Sequence, residues 1–142
     1  MALKMDKPAL EAFLDAEFPQ VRGEFGIDSV GEDVLLVRLH VQDKHLRPGG
    51  TVSGPAMFSL ADVAMYLAVL ARIGPEALTV TTNLSIDFMR KPEAGRDLIA
   101  RAEVLKLGRS LAVGEVRICS EGSDKVVARA GVTYSIPPKP GA

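Results

Sequence analysis

"RPGGTVSGPAMFSLADVAMYLAVLARIG" occupies residues 47–74 and holds the longest apolar run in the chain. Between residues 55 and 71 nearly every side chain is apolar, which predicts a helix packed on most of its faces. Ser53 suits the N-cap, Pro55 the first turn, and Gly74-Pro75 the stop. Three polar side chains interrupt the run. Ser59, Asp62 and Tyr66 are spaced three and four apart, so they share one stripe of the helix. Asp62 lies too deep to cap the helix or to gain from its dipole. Burying an ionised carboxylate alone costs several kcal/mol, so Asp62 must be hydrogen-bonded, protonated or facing a wet cleft. A structural and a functional aspartate both satisfy that condition.

Outward from this helix the pattern changes period. Asp6 can cap a first helix over about residues 1–20, with Pro8 in its opening turn, Leu10, Phe13 and Leu14 on one face, and Pro19 stopping it. Two strands are expected next. The first covers residues 22–30, and the second, "DVLLVRLHV", alternates through Leu35, Val37, Leu39 and Val41. After the central helix come four more: "LTVTTNLSIDFM", "DLIARAEVLKL", "SLAVGEVRICS" and "KVVARAGVTYSI". A turn at Gly108-Arg109 joins the second to the third, and Glu121-Gly122-Ser123 joins the third to the fourth. Residues 137–142, "PPKPGA", read as a flexible tail. With no repeat and no linker, residues 1–142 are expected to form one α+β domain in which a single antiparallel sheet wraps one apolar helix.

Composition narrows the function. The chain has 142 residues, 47% of them hydrophobic and 25% charged, an ordinary globular balance. A net charge of −1 supplies no basic field for nucleic acid or an anionic membrane. The central run approaches membrane-spanning length, but an aspartate at its middle opposes insertion. The first twenty residues carry acids throughout and do not read as a secretion signal. Cys119 is the single cysteine, which excludes an intrachain disulfide and favours a cytoplasmic location. No residue cluster has metal-ligand spacing, and "RPGGTVSGP" lacks the GK[ST] ending of a phosphate loop, so no metal or cofactor is expected.

The start of the central helix offers chemistry of its own. Its first backbone N–H groups lack intrahelical acceptors and suit a developing oxyanion. Pro55 has no N–H, which leaves Gly54 as the natural donor. Gly54 and Asp62 are eight residues apart, about 12 Å along a helix. A reacting carbonyl must sit about 3 Å from both its oxyanion donor and its attacking group. One helix cannot supply both groups. Two copies packed antiparallel can, with Gly54 of one facing Asp62 of the other.

These residues carry a family resemblance. The stretch "HLRPGGTVSGP" at residues 45–55, followed by "AMFSLAD" ending at Asp62, resembles the H-x-N-P-x-G-x-x-H-G-G…L-A-D pattern of the PaaI-type acyl-CoA thioesterases of the hotdog-fold superfamily. The likeness spans about residues 34–134, including "TTNLSIDFMRKP" and "LKLGRSLAVGEV". It implies a hotdog fold, a homodimer or homotetramer, and metal-free hydrolysis of acyl-CoA. By position it implies that Asp62 acts as general base or nucleophile, that Gly54 N–H polarises the thioester carbonyl, and that Thr81 assists by positioning substrate or water. Three residues depart from the pattern. Arg47 replaces the asparagine, Ser53 the histidine and Pro55 the second glycine. Arginine cannot accept a hydrogen bond and keeps its charge, so Arg47 suits a carboxylate or a CoA phosphate.

Several other residues are substrate-binding candidates. Arg90, Lys91, Lys106 and Arg109 flank turns where CoA phosphates can be met. His45 either supports its loop or touches the ligand, and Ser53, Ser59 and Tyr66 are candidates for the substrate pocket. His40 is expected in a strand with no role, and Cys119 packs in another, with nothing nearby to activate a thiolate. Two functional readings remain beside hydrolysis. A non-catalytic binder of acyl-CoA or an aromatic ligand is motivated by Arg47 and Ser53. A hydratase expects a paired Asp and His, and no histidine follows His45.

Overall fold

The computed structural model describes residues 3–138. Helix α1 spans Lys7–Glu17, and its cap is Asp6, whose carboxylate accepts from the Ala9 N–H at 3.0 Å. Leu10 and Leu14 form its buried face. Strands β1 (Phe25–Val30) and β2 (Val34–Leu39) follow. The sequence placed the first strand from residue 22, but a 3-10 turn at Pro19–Val21 and Gly23, at φ +82°, bend the chain until Phe25. β2 stops one residue short of His40, so His40 lies outside the expected strand.

Helix α2 spans Gly54–Ile73. Gly74 closes it at φ +97°, a left-handed conformation that favours glycine, and donates its N–H to Leu70 O at 2.9 Å. The last four strands are β3 (Val80–Phe88), β4 (Leu98–Leu107), β5 (Leu111–Ser120) and β6 (Val126–Ser135). All six strands form one antiparallel sheet in the order β1-β2-β4-β5-β6-β3. The arrangement is the sheet around one helix that the resemblance implies. For the expected tail, Pro137 and Pro138 follow β6 outside any strand, and residues 139–142 lie outside the described residues.

The core is the seam between α2 and one sheet face. Leu35, Val37 and Leu39 of β2, Ala100 and Ala102 of β4, Ala112, Val116 and Ile118 of β5, and Ala128, Ala130 and Val132 of β6 are all buried there. Leu60, Ala64, Met65, Leu67 and Leu70 of α2 meet them. Each such large side chain contributes about 1.5–3 kcal/mol on leaving water. Small residues line the middle of the sheet and let the helix approach closely. At Gly114 a Cβ would strike the tip of Met65 and come within 2.6 Å of Glu103 O, so this strand must carry a glycine there. The helix long and apolar enough to cross a bilayer is thus the centre of a packed domain, with 11 of its 20 residues buried.

Candidate active site

The loop before α2 sets the position of the helix start. His45 is buried at 6% exposure, and its Nδ1 accepts the Gln42 N–H at 2.9 Å. Its Nε2 must then carry the proton, which it donates to Glu24 Oε1 at 2.9 Å. That hydrogen bond, helped by Lys44, holds the Glu24 carboxyl below its ordinary range against the opposing effect of burial. The His45 carbonyl accepts the Ser53 N–H at 2.8 Å, and Ser53 Oγ caps α2 by accepting from the Ala56 N–H at 3.3 Å. Gly54 follows, and its N–H has no acceptor among the described residues. A side chain at Gly54 would press on the Phe88 ring at 3.2 Å, so the glycine also serves packing.

About two helical turns beyond Gly54, Asp62 meets two hydroxyls. Thr81 of β3 donates to Asp62 Oδ1 at 2.5 Å, and the Tyr134 phenol of β6 lies 2.6 Å from the same oxygen. Thr81 and Tyr134 are direct cross-strand partners, so the register of β3 on β6 aims both at one point. The phenol also lies 2.8 Å from the Asp62 carbonyl oxygen, which ties the sheet to the helix backbone. Burial, then the charge of Asp62, push the Tyr134 phenol well above its usual range, so it remains a donor. Asp62 Oδ2 has no protein partner among the described residues and is not buried. One oxygen is held and the other is open.

Asp62 opens onto a cleft of about 330 Å³. Val63, Tyr66, Ala77, Thr79, Val80, Thr81 and Tyr134 line it, together with Glu17, Phe18 and Gln20 from the end of α1 and the turn after it. Burial raises the Tyr66 phenol pKa, and the charge of Glu17 adds to that. Tyr66 donates to Ala77 O at 3.2 Å. Thr79 is 4% exposed, and its Oγ1 is the buried side-chain oxygen without a partner among the described residues.

Of the residues singled out in the sequence, Asp62, Thr81 and Tyr66 come together in this cleft. Gly54 stands at the far end of the same helix segment. His45 and Ser53 belong to the scaffold of the loop, their polar groups already engaged within the chain. Ser59 is exposed on α2 outside the cleft, and Arg47, Arg90, Lys91, Lys106 and Arg109 are exposed at loops, turns and strand ends away from its lining. Tyr134 falls in "KVVARAGVTYSI" at a position whose alternation with Val126, Ala128, Ala130 and Val132 predicts a core-facing strand residue. The available signal was its hydroxyl: a buried phenol needs a partner, and an aspartate on an apolar helix needs a donor. Among the described residues no group of three His, Cys, Asp or Glu side chains converges as metal ligands would. A carboxylate with one oxygen fixed by hydroxyls and the other facing a cleft can take a proton from water or attack a carbonyl directly.

Comparisons with known proteins identify the family and the fold. A family model described as "Thioesterase superfamily" matches residues 49–133. A crystal structure of a protein from Silicibacter sp. TM1040, provisionally named a thioesterase, superposes with TM-score 0.91 at 59% identity, covering 97% of this chain and 96% of that one. Phenylacetic acid degradation protein PaaI from Thermus thermophilus, solved as an Asn-to-Asp mutant, gives TM-score 0.72 at 29% identity over 84% of this chain and 99% of its own. Human acyl-coenzyme A thioesterase 13 is 26% identical over 112 residues, 79% of each chain.

Proposed function

This chain belongs to the thioesterase superfamily, and we propose that it hydrolyses acyl-CoA thioesters at a site shared between two copies, with Asp62 as the reacting group. The observation that carries this reading is the divided carboxylate. Thr81 and Tyr134 hold Oδ1 while Oδ2 has no protein partner among the described residues, and Asp62 lines the cleft. As a general base, Oδ2 takes a proton from water as the water oxygen adds to the thioester carbonyl. As a nucleophile, Oδ2 adds to that carbonyl itself and gives an anhydride that water later opens. In both routes the tetrahedral oxyanion collapses, the C–S bond breaks, and CoA leaves as a thiolate that takes up a proton.

The oxyanion needs a donor that the same chain cannot place. Gly54 N–H lies about 12 Å along the helix from Asp62. Gly54 of a second copy supplies it in an antiparallel pairing. Support comes from β3, a nine-residue edge strand whose outer ladder is unpaired in the single chain. Val80, Phe88 and Met89 lie half exposed along it, and Phe58 is half exposed on α2. Arg47, exposed before the helix, suits the CoA phosphates in this scheme. With Cys119 as the single cysteine, a reducing cytoplasm is the compartment we assign.

A panel of short, medium, long and aromatic acyl-CoAs, followed by thiol release, tests the reaction. Asp62→Asn should lower kcat/KM about 10³-fold while the oligomer stays assembled. Undiminished hydrolysis by that variant would remove Asp62 from the mechanism. The second reading, a non-catalytic acyl-CoA binder, draws on Arg47 in place of an asparagine. It expects saturable binding with no thiol release from the native protein.

A further inference from the structure

The cleft beside Asp62 has an unusual charge. Its lining contains two carboxylates, Asp62 and Glu17, and no lysine, arginine or histidine. Glu17 ends α1, is exposed to solvent, and makes no ion pair among the described residues. The neighbouring cation Arg22 is directed instead to Asp15, at 3.9 Å. Glu17, Phe18 and Gln20 all precede residue 49, where the match to the family model begins. This wall is therefore supplied by the N-terminal segment and not by the matched region.

Resting on the acyl-CoA reading above, we propose that Glu17 is a specificity determinant, a fixed negative charge that makes the cleft accept acyl groups with an uncharged far end and reject those ending in a carboxylate.

Two observations fix Glu17 at that place. Leu10 and Leu14 are buried at 0% and 6% exposure, and the Phe18 N–H closes the helix on Leu14 O at 2.8 Å. The segment before α1 is tied to the end of α2, where the Lys4 N–H donates to Ala71 O at 2.7 Å. α1 thus cannot swing its last turn away without exposing Leu14. The field of Glu17 also reaches the cleft interior, because its charge contributes to the raised pKa of the Tyr66 phenol on α2. In the proposed pose, an acyl chain whose thioester lies against Asp62 extends within this lining. A terminal carboxylate there would face two like charges and no cation from the same chain. A methyl terminus meets Phe18, Val63 and Val80 instead.

The test compares two thioesters of equal carbon number, hexanoyl-CoA and adipoyl-CoA, on the full chain. The native protein should favour hexanoyl-CoA in kcat/KM by about 100-fold. Glu17→Gln should narrow that ratio about tenfold, and Glu17→Lys should narrow it further. Glu11→Gln, which removes the same charge from an exposed position on the same helix, should leave the ratio as it was. A ratio that stays put in both Glu17 variants overturns the assignment. If the native protein releases no thiol, the hydrolytic reading fails, and the same ratio is read from the calorimetric Kd values of the two thioesters. A shift of that ratio in Glu17→Gln sustains the charge gate without catalysis, and no shift sinks it. If neither thioester binds, the gate and the acyl-CoA reading fall together.

Discussion

The two edges of the sheet are built on opposite plans. At the β1 edge the strand is six residues long, carries a bulge between Ile27 and Ser29, and packs against α1. Beside it Arg38 of β2 gathers three acids. Its Nε and Nη2 each donate to Asp28 at 3.1 Å, and its Nη1 donates to Asp97 at 3.1 Å and to Glu121. Their combined effect outweighs burial and raises the guanidinium pKa further above its already high value. The β3 edge has a register shift of its own, between Thr81 and Asn83, but no such clamp. Nine residues of extended chain end in half-exposed Phe88 and Met89. Natural sheets shield their edges with bulges, charges and covering elements, and a long apolar edge left open is a docking site or a hazard. The contrast teaches that one edge is finished within the chain while the other is left open, as the proposed pairing of two copies requires. The unfinished edge carries Thr81.

The largest effect should come from closing the open edge. On the proposed reading, a lysine at Ser85 of β3 sets like charges against each other in an antiparallel pairing of two copies. We expect the mass in light scattering to fall to that of one chain, and turnover to drop about 10²–10³-fold with the loss of the oxyanion donor. Ser29→Lys on β1 should change neither. Equal behaviour of the two variants would erase the distinction between the edges. A smaller effect is expected inside the site. Tyr134→Phe removes one of two hydroxyls on Asp62 Oδ1 and should lower kcat/KM about tenfold, with the oligomer intact.

The finished edge should answer in stability and not in catalysis. Arg38→Ala should cost about 1–2 kcal/mol in thermal or denaturant unfolding, the figure being held down by partial exposure of the pairs, with turnover unmoved. The smallest effect is expected from mild acid. The Glu24 carboxyl lies below its ordinary 4.5 because of its His45 hydrogen bond. The Asp97 carboxyl is raised by burial but lowered more by the Val41 N–H and Arg38, so it too is depressed. A depressed carboxyl stabilises the fold above the unfolded-state pKa, and that contribution is lost as pH falls through the folded value. Unfolding midpoints should therefore be flat from about pH 7 to pH 5 and fall below that, with hydrogen exchange loosening first on the β1 side.

Much of this was legible in the residues. The 3.6-residue and two-residue periods gave the element order, and the caps at Asp6 and Ser53 were readable because a side-chain oxygen before a proline-bearing first turn has few other uses. The start of β1 was misplaced because nothing in "FPQVRG" distinguishes an extended chain from a 3-10 turn until the backbone of Gly23 is seen. An assisting role for Thr81 was implied by family likeness alone, and its hydrogen bond to Asp62 was not legible, since eighteen intervening residues hide the contact. Tyr134 was hidden by its own periodicity, which matched a core position so well that its hydroxyl went unasked. The α1 wall of the cleft was beyond reach, because it depends on where one helix ends over another.

Thr81 joins the two halves of this comparison. Its hydroxyl grips the acid on the inner side, while its backbone belongs to the strand whose outer ladder is vacant. Any neighbour that zips onto that ladder stiffens the peptide units on which the hydroxyl is mounted. Assembly and the aim of the carboxylate then share one lever arm, with no relay of intervening side chains. On the proposed pairing, a solitary protomer would hold its carboxylate in place but lack the second copy's donor.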